Sequence, residues 1–139
     1  MIPNLNKTQR LAFMQDKAFE KLWQEADEAG IQAATKMQPQ PMIVEGRSNP
    51  LDDTSAVTNV YYVEEGVCGF AWLECKGNTT FGKWLVRAKV ARKGYPTGLT
   101  IWCHRFGQSM ERKMAWAYAT AAYLQTHGQI TVYPMSRMD

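Results

Sequence analysis

Val57-Thr58-Asn59-Val60-Tyr61-Tyr62-Val63, then Glu64-Glu65-Gly66, then Val67-Cys68-Gly69-Phe70-Ala71-Trp72-Leu73-Glu74 is the stretch on which the fold turns. Both outer runs are rich in Val, Tyr, Phe and Trp, side chains that fit a pleated, half-buried surface. The three residues between them end on a glycine, which can take the left-handed position of a short turn. The spacing predicts an antiparallel hairpin of strands 57–63 and 67–74, with Gly66 at positive φ.

Upstream, Pro39-Gln40-Pro41 interrupts the chain and Met42-Ile43-Val44 reads as a short strand. The polar run from Glu45 to Ser55 is the longest loop; its Asp52 and Asp53 lack the spacing of a calcium loop and read as solvated acids. The chain opens on a long amphipathic helix. Asn6 caps it, with Gln9 three residues on completing a capping box. Leu11, Met14, Ala18, Leu22, Ala26 and Ala29 follow at three- and four-residue steps, widened by Phe19 and Trp23, and mark a stripe that faces the core. Gly30 is expected to interrupt or end this helix.

Downstream, Gly77-Asn78-Thr79-Thr80 introduces a helix expected over 81–93, with Phe81, Trp84, Leu85 and Ala88 on its buried face and Gly94 as its stop. Leu99 to Phe106 is a strand. Ser109 caps a last helix with an apolar stripe of Met110, Met114, Ala117, Ala121 and Leu124, ended by Gly128. Ile130 to Tyr133 is a final strand cut off by Pro134, which suits an edge position or the end of the strand. The predicted class is α+β, order α-β-β-β-α-β-α-β. About five strands form one sheet covered by helices. One domain is expected over 1–139, with a helical segment to residue 38 and the sheet and two further helices after it.

Apolar residues at 45% and charged residues at 21% match a folded globular chain of 139 residues. No apolar run approaches the roughly 20 residues of a membrane span, and residues 1–10 lack the apolar core of a signal peptide. A cytoplasmic location and no membrane contact are therefore expected. Cys68, Cys75 and Cys103 form no C-x-x-C pair, so neither a disulfide framework nor a metal or other cofactor is expected, and they read as small buried hydrophobes.

Net charge is +3, unevenly divided. Residues 1–65 hold six Lys/Arg and ten Asp/Glu, a balance of −4; residues 66–139 hold ten and three, a balance of +7. Such asymmetry points to polyanion contact, or to two halves that neutralise one another in the fold.

Three places carry candidate chemistry. The segment 81–93 holds Lys83, Arg87, Lys89, Arg92 and Lys93 without an acid, beside Trp84, a composition suited to phosphate backbones or to a solvated surface helix. The turn Gly107-Gln108-Ser109 precedes a helix with Arg112 and Lys113 in its first turn. Cations there are unfavourable unless an anion sits on the helix N-terminus, although Glu111 can neutralise them locally. Ser109 also invites comparison with the hydrolase nucleophile elbow, but Glu111 replaces the second glycine and the two histidines, His104 and His127, have no evident pairing with it; an ordinary N-cap suffices.

Pro39-Gln40-Pro41-Met42-Ile43-Val44, Asn49-Pro50-Leu51-Asp52, Gly66-Val67-Cys68-Gly69-Phe70-Ala71-Trp72, Gln108-Ser109-Met110-Glu111-Arg112-Lys113 and Ser136-Arg137-Met138-Asp139 together resemble a group of small proteins carried by bacteriophages and prophages. The resemblance implies a phage context and a host-cytoplasm location, and carries no catalytic residue. The leading expectation is a non-enzymatic accessory protein that binds a phosphate-bearing ligand, nucleic acid first, through its basic C-terminal half. Lys83, Arg87, Ser109, Arg112, Lys113 and Arg137 supply the contacts, and Trp84 or Trp102 a stacking surface if exposed. The alternatives are a protein–protein inhibitor or modulator of a host or host-defence enzyme, and a small hydrolase centred on Ser109.

Overall fold

The computed structural model describes residues 4–139. It is α+β, in the order α1 (Lys7–Lys36), β1 (Met42–Arg47), β2 (Val57–Val63), β3 (Gly69–Cys75), α2 (Thr80–Arg87), β4 (Arg92–Lys93), β5 (Leu99–Trp102), α3 (Met110–Gly128) and β6 (Tyr133–Met138). The strands divide into two sheets rather than one: an antiparallel pair β1-β2, and a four-stranded antiparallel sheet in the order β4-β5-β3-β6.

The expected hairpin is where the sheets part. Residues 57–63 and 69–75 are both strands and Gly66 has φ +76°, but β2 pairs with β1 and β3 with β5 and β6. Two causes are visible. A Cβ on Gly66 would stand 2.6 Å from the carbonyl oxygen of Gln40, so the turn is wedged against the chain that leads into β1. The next residues are held by the start of α3: Met110 N–H donates to Val67 O, Cys68 bridges to Ser109, and Gly69 N–H donates to Gln108 O. With β5 on one edge and β6 on the other, β3 has no edge left for β2.

α1 begins as its capping box dictates, with Asn6 accepting from Gln9 N–H and the Gln9 side chain accepting from Asn6 N–H. Gly30 does not end it. The helix runs on to Lys36, and Gly30 is its crossing point with α3, where a Cβ would lie 2.2 Å from Thr120 Oγ1 and 2.5 Å from Trp116 Cδ1. The small residues Ala26, Gly30 and Ala34 are buried along this seam, with Phe19, Leu22 and Trp23 partly buried before them. Leu11 and Met14, placed in the core stripe by their spacing, are exposed, because α1 extends past the end of its partner helix. The two helices run antiparallel: Arg112 meets Ala34 at one end and Leu22 lies against Gly128 at the other.

α2 is shorter than its sequence suggests. It stops at Arg87 with Ala88 as C-cap, and Lys89 turns back at φ 61°, so that Val90 and Ala91 N–H both donate to Leu85 O. No glycine or proline announces that turn; it tucks Ala91 into the core and sends Arg92 and Lys93 into β4. Pro134 lies within β6 rather than ending a strand, which its edge position tolerates.

The core sits between α3, α1 and one face of the larger sheet: Ala71, Leu73, Cys75, Leu99 and Ile101 from the strands, Trp116, Ala117, Ala121 and Leu124 from α3, and Phe81, Trp84 and Leu85 from α2. Cys75 and Cys103 are buried in it as expected, and burial pushes both thiols above their ordinary pKa, whereas Cys68 is exposed.

Candidate nucleic-acid interface

The cations of the Ser109 turn are held by the protein itself. Ser109 is 1% exposed; its Oγ donates to Glu65 O at 3.0 Å and accepts from Arg112 N–H at 3.3 Å. Arg112 pairs with Glu65 at 2.7 Å and donates to Ala34 O at 2.8 Å, which places a guanidinium on the C-terminal carbonyls of α1, where a helix favours positive charge. Lys113 is buried, with Nζ donating to Gly69 O at 3.1 Å. Glu111 accepts from Gln40 N–H at 2.9 Å. Met110 and Arg112 N–H are engaged, so the turn has spent donors that an anion would need. The same burial keeps Ser109 from acting on a substrate. Neither histidine hydrogen-bonds to it among the described residues.

Lys83 is exposed on α2 and Arg87 reaches across to Asp16 at 2.8 Å. These two and Lys93 line one groove between α2 and residues 94–98. Lys89 and Arg92 leave the helix altogether, so the five cations never form one helical face. Trp84 is buried against Phe19 and Phe81 and offers no ring to a base.

The charge division is neutralised only in part. Arg87–Asp16, Arg105–Asp27 and Arg112–Glu65 join the basic half to the acidic half. Asp27 accepts from both Arg105 terminal nitrogens and from Trp116 Nε1, and this contact raises the Arg105 pKa. Lys76, Lys83, Lys89, Arg92, Lys93 and Arg137 have no carboxylate within salt-bridge distance among the described residues.

What the sequence reading missed is the outer face of the larger sheet. β3 alternates: Gly69, Ala71, Leu73 and Cys75 face the core, and Phe70, Trp72 and Glu74 face away from it. Directly paired residues of antiparallel strands share a face, so Trp72 brings Trp102 and Met135 beside it, Phe70 brings Arg137, and Glu74 brings Thr100 and Tyr133. Arg92 joins them opposite Thr100. Among the described residues no helix lies on this face.

Its geometry is that of an aromatic platform. The Trp72 and Trp102 rings are 4.7 Å apart at 35°, and Phe70 meets Trp102 edge-on at 6.3 Å. The Arg137 guanidinium sits 5.5 Å from the Phe70 ring centre, with Lys113 Nζ at 5.4 Å. Trp72 Nε1 donates to Glu74 at 3.0 Å, which fixes its ring orientation. The signal was legible in outline: large aromatics at alternate positions 70 and 72, interleaved with small residues, plus Trp102 on a second strand. Of the two tryptophans named for stacking, Trp102 stands on the open face at 38% exposure and Trp84 does not. Of the expected contact set, Arg137 stands on this face, while Lys113 reaches the Phe70 ring from α3 with its Nζ bonded to Gly69 O.

Among the described residues no cluster of three His, Cys, Asp or Glu is placed to hold a metal ion, and no helix is long and apolar enough to cross a membrane. A cavity of about 500 Å³ lies between α1, the start of α2 and residues 128–133. Its one thiol, Cys75, is held protonated by burial. No known protein family, curated protein or solved structure matches this chain.

Proposed function

We propose that this chain binds single-stranded nucleic acid across the open face of the β4-β5-β3-β6 sheet, with little preference for sequence. The observation that carries the reading is the Trp72–Trp102 pair on the two central strands, flanked by Phe70, Arg137 and Arg92, on a face that no helix covers among the described residues. Every base has a π-face, so bases stack on such rings without regard to identity, at about 1–3 kcal/mol each. Four-stranded sheets that carry aromatics on their central strands bind single strands in this manner.

The phosphate path follows from β4. Arg92 stands on the open face opposite Thr100, and Lys93 next to it faces the groove that also holds Lys83 and Arg87. A strand stacked over Trp72 and Trp102 therefore leaves the sheet toward three cations. This keeps the expected phosphate-bearing partner but moves its binding centre from the Ser109 turn to the sheet. Duplex is the poorer ligand, because its bases are stacked on each other. The resemblance to phage-borne proteins adds a setting, the cytoplasm of a bacterial host.

Anisotropy of labelled single-stranded and duplex oligonucleotides tests the reading. Trp102→Ala is expected to weaken single-strand binding about five- to hundred-fold, the loss of one stacked base. Arg92→Glu with Arg137→Glu should weaken binding to all sequences alike, since phosphate contacts position without specifying. Log affinity should fall linearly with log salt, by about 0.7 for each phosphate neutralised, and Lys83→Glu with Arg87→Glu should flatten that slope. Absence of binding at about 50 mM salt, or a Trp102→Ala variant that binds like the wild type, overturns it.

A further inference from the structure

The β1-β2 pair and the first turns of α1 are two projections with a shared property: apolar side chains that stay exposed among the described residues. Paired residues assign the faces of the ribbon. Ile43 opposes Tyr62 and Glu45 opposes Val60, so Ile43, Glu45, Val60 and Tyr62 share one face, with Glu64 next in alternation. Ile43, Val60 and Tyr62 are each more than half exposed. On α1, Lys7, Arg10, Leu11 and Met14 fall at the steps that place residues on one helix face, and Leu11 and Met14 are likewise more than half exposed.

The two surfaces complement each other in charge. Residues 42–64 carry Glu45, Asp52, Asp53 and Glu64 against Arg47, which is itself paired with Glu45. Residues 4–15 carry Lys7 and Arg10 and no acid, and the first turn of α1 has no acidic residue to offset the positive end of the helix dipole. An acidic surface laid there removes that imbalance. A ribbon laid on a second ribbon would bring like charges together.

The surfaces cannot meet within one molecule. The ribbon springs from the end of the body where Gln40 bonds Glu111 and Arg112 caps α1, and the α1 overhang lies beyond Leu22 and Gly128 at the other end. Each turn of the overhang adds about 5.4 Å of separation.

We infer that the α1 overhang of one copy docks on the Ile43–Val60–Tyr62 face of the ribbon of the next, a head-to-tail contact that links copies of this chain into open oligomers. Leu11 and Met14 supply the apolar contact, and Lys7 and Arg10 meet Glu45 and Glu64. A handful of side chains on each partner falls short of the roughly 800 Å² per partner typical of stable complexes, so assembly is concentration-dependent. Unlike surfaces in contact give chains rather than closed pairs unless the rotation closes a ring. This inference is independent of the nucleic-acid reading.

Sedimentation velocity of the full chain at low salt, from about 1 to about 200 µM, reads the assembly directly through mass action. The wild type should rise from the 15.8 kDa monomer to a distribution of larger species. Leu11→Glu with Met14→Glu, and separately Ile43→Lys with Tyr62→Lys, should each stay monomeric, all four positions being exposed. Mixed in equal amounts, they retain one live surface of each kind and should give heterodimers and nothing larger. If either pair unfolds the chain by circular dichroism, the milder charge swap serves: Lys7→Glu with Arg10→Glu and Glu45→Lys with Glu64→Lys, each impaired alone and restored when mixed. A wild type monomeric throughout, assembly that survives the α1 substitutions, or a mixture that stays monomeric overturns the inference.

Discussion

β2 and β3 are seven-residue strands separated by five residues, yet they have opposite fates. β2, Val57–Val63, is the stronger strand former by composition, and it buries no side chain fully. β3, Gly69–Cys75, contains three residues of weak strand propensity, Gly69, Ala71 and Glu74, and buries four of its seven positions. Propensity decides that a segment is extended. What covers its faces decides whether it carries the fold. β3 has strands on both edges and α3 on one face; β2 has β1 on one edge, and its seven residues are exposed save the half-buried Val63.

Truncation separates the two most sharply. Leu73 is fully buried at the centre of β3, between β5 and β6 and beneath α3. Leu73→Ala should cost about 2–5 kcal/mol, the transfer term plus the cavity left behind. Urea denaturation followed by far-UV circular dichroism measures it, and a cost below about 1 kcal/mol would mean that the sheet is not the structural centre.

A smaller effect probes what α1 contributes to the covered side. Gly30→Val places a branched side chain where Thr120 Oγ1 and Trp116 Cδ1 stand 2.2 and 2.5 Å from an ideal Cβ. Overpacking of this kind should cost about 1–3 kcal/mol. The buried Thr120 hydroxyl has no hydrogen-bond partner among the described residues, so Thr120→Ala should itself be mild and should relieve part of the Gly30→Val defect. Additive costs in the double variant would show that the two positions do not share the crossing.

How much of this was legible follows from the range of the forces. The caps Asn6 and Ser109 were readable because each is satisfied within three residues. The strand at 57–63 was readable from side-chain type. The pairing of strands was not, because a glycine turn is compatible with a hairpin and equally with a divergence, and contacts from Gln40 and Ser109, distant in sequence, decide between them. Arg112 and Lys113 were correctly seen as anomalous in the first turn of a helix. Their compensation is the end of α1 and the carbonyl of Gly69, which no local pattern reveals. The aromatic face is an intermediate case: alternation at Phe70 and Trp72 is visible, but which face the helices cover is a property of the assembled sheet.

The ribbon gives the smallest effect. Tyr61 is 56% exposed and sits on β2 opposite Val44, so its ring touches little that is lost on truncation. An isolated two-stranded pair is marginal in water, held by its own ladder and cross-strand contacts rather than by a core. Tyr61→Ala, measured at micromolar concentration, should therefore shift global stability by no more than about 0.5 kcal/mol. Hydrogen exchange should report what the global transition does not. Ribbon amides should exchange through local opening, far faster than those of β3, because few buried contacts oppose their release. In the variant they should become faster still while the β3 amides are unchanged. A cooperative loss approaching that of Leu73→Ala would mean the ribbon is packed against the body, and the contrast between the two strands would collapse.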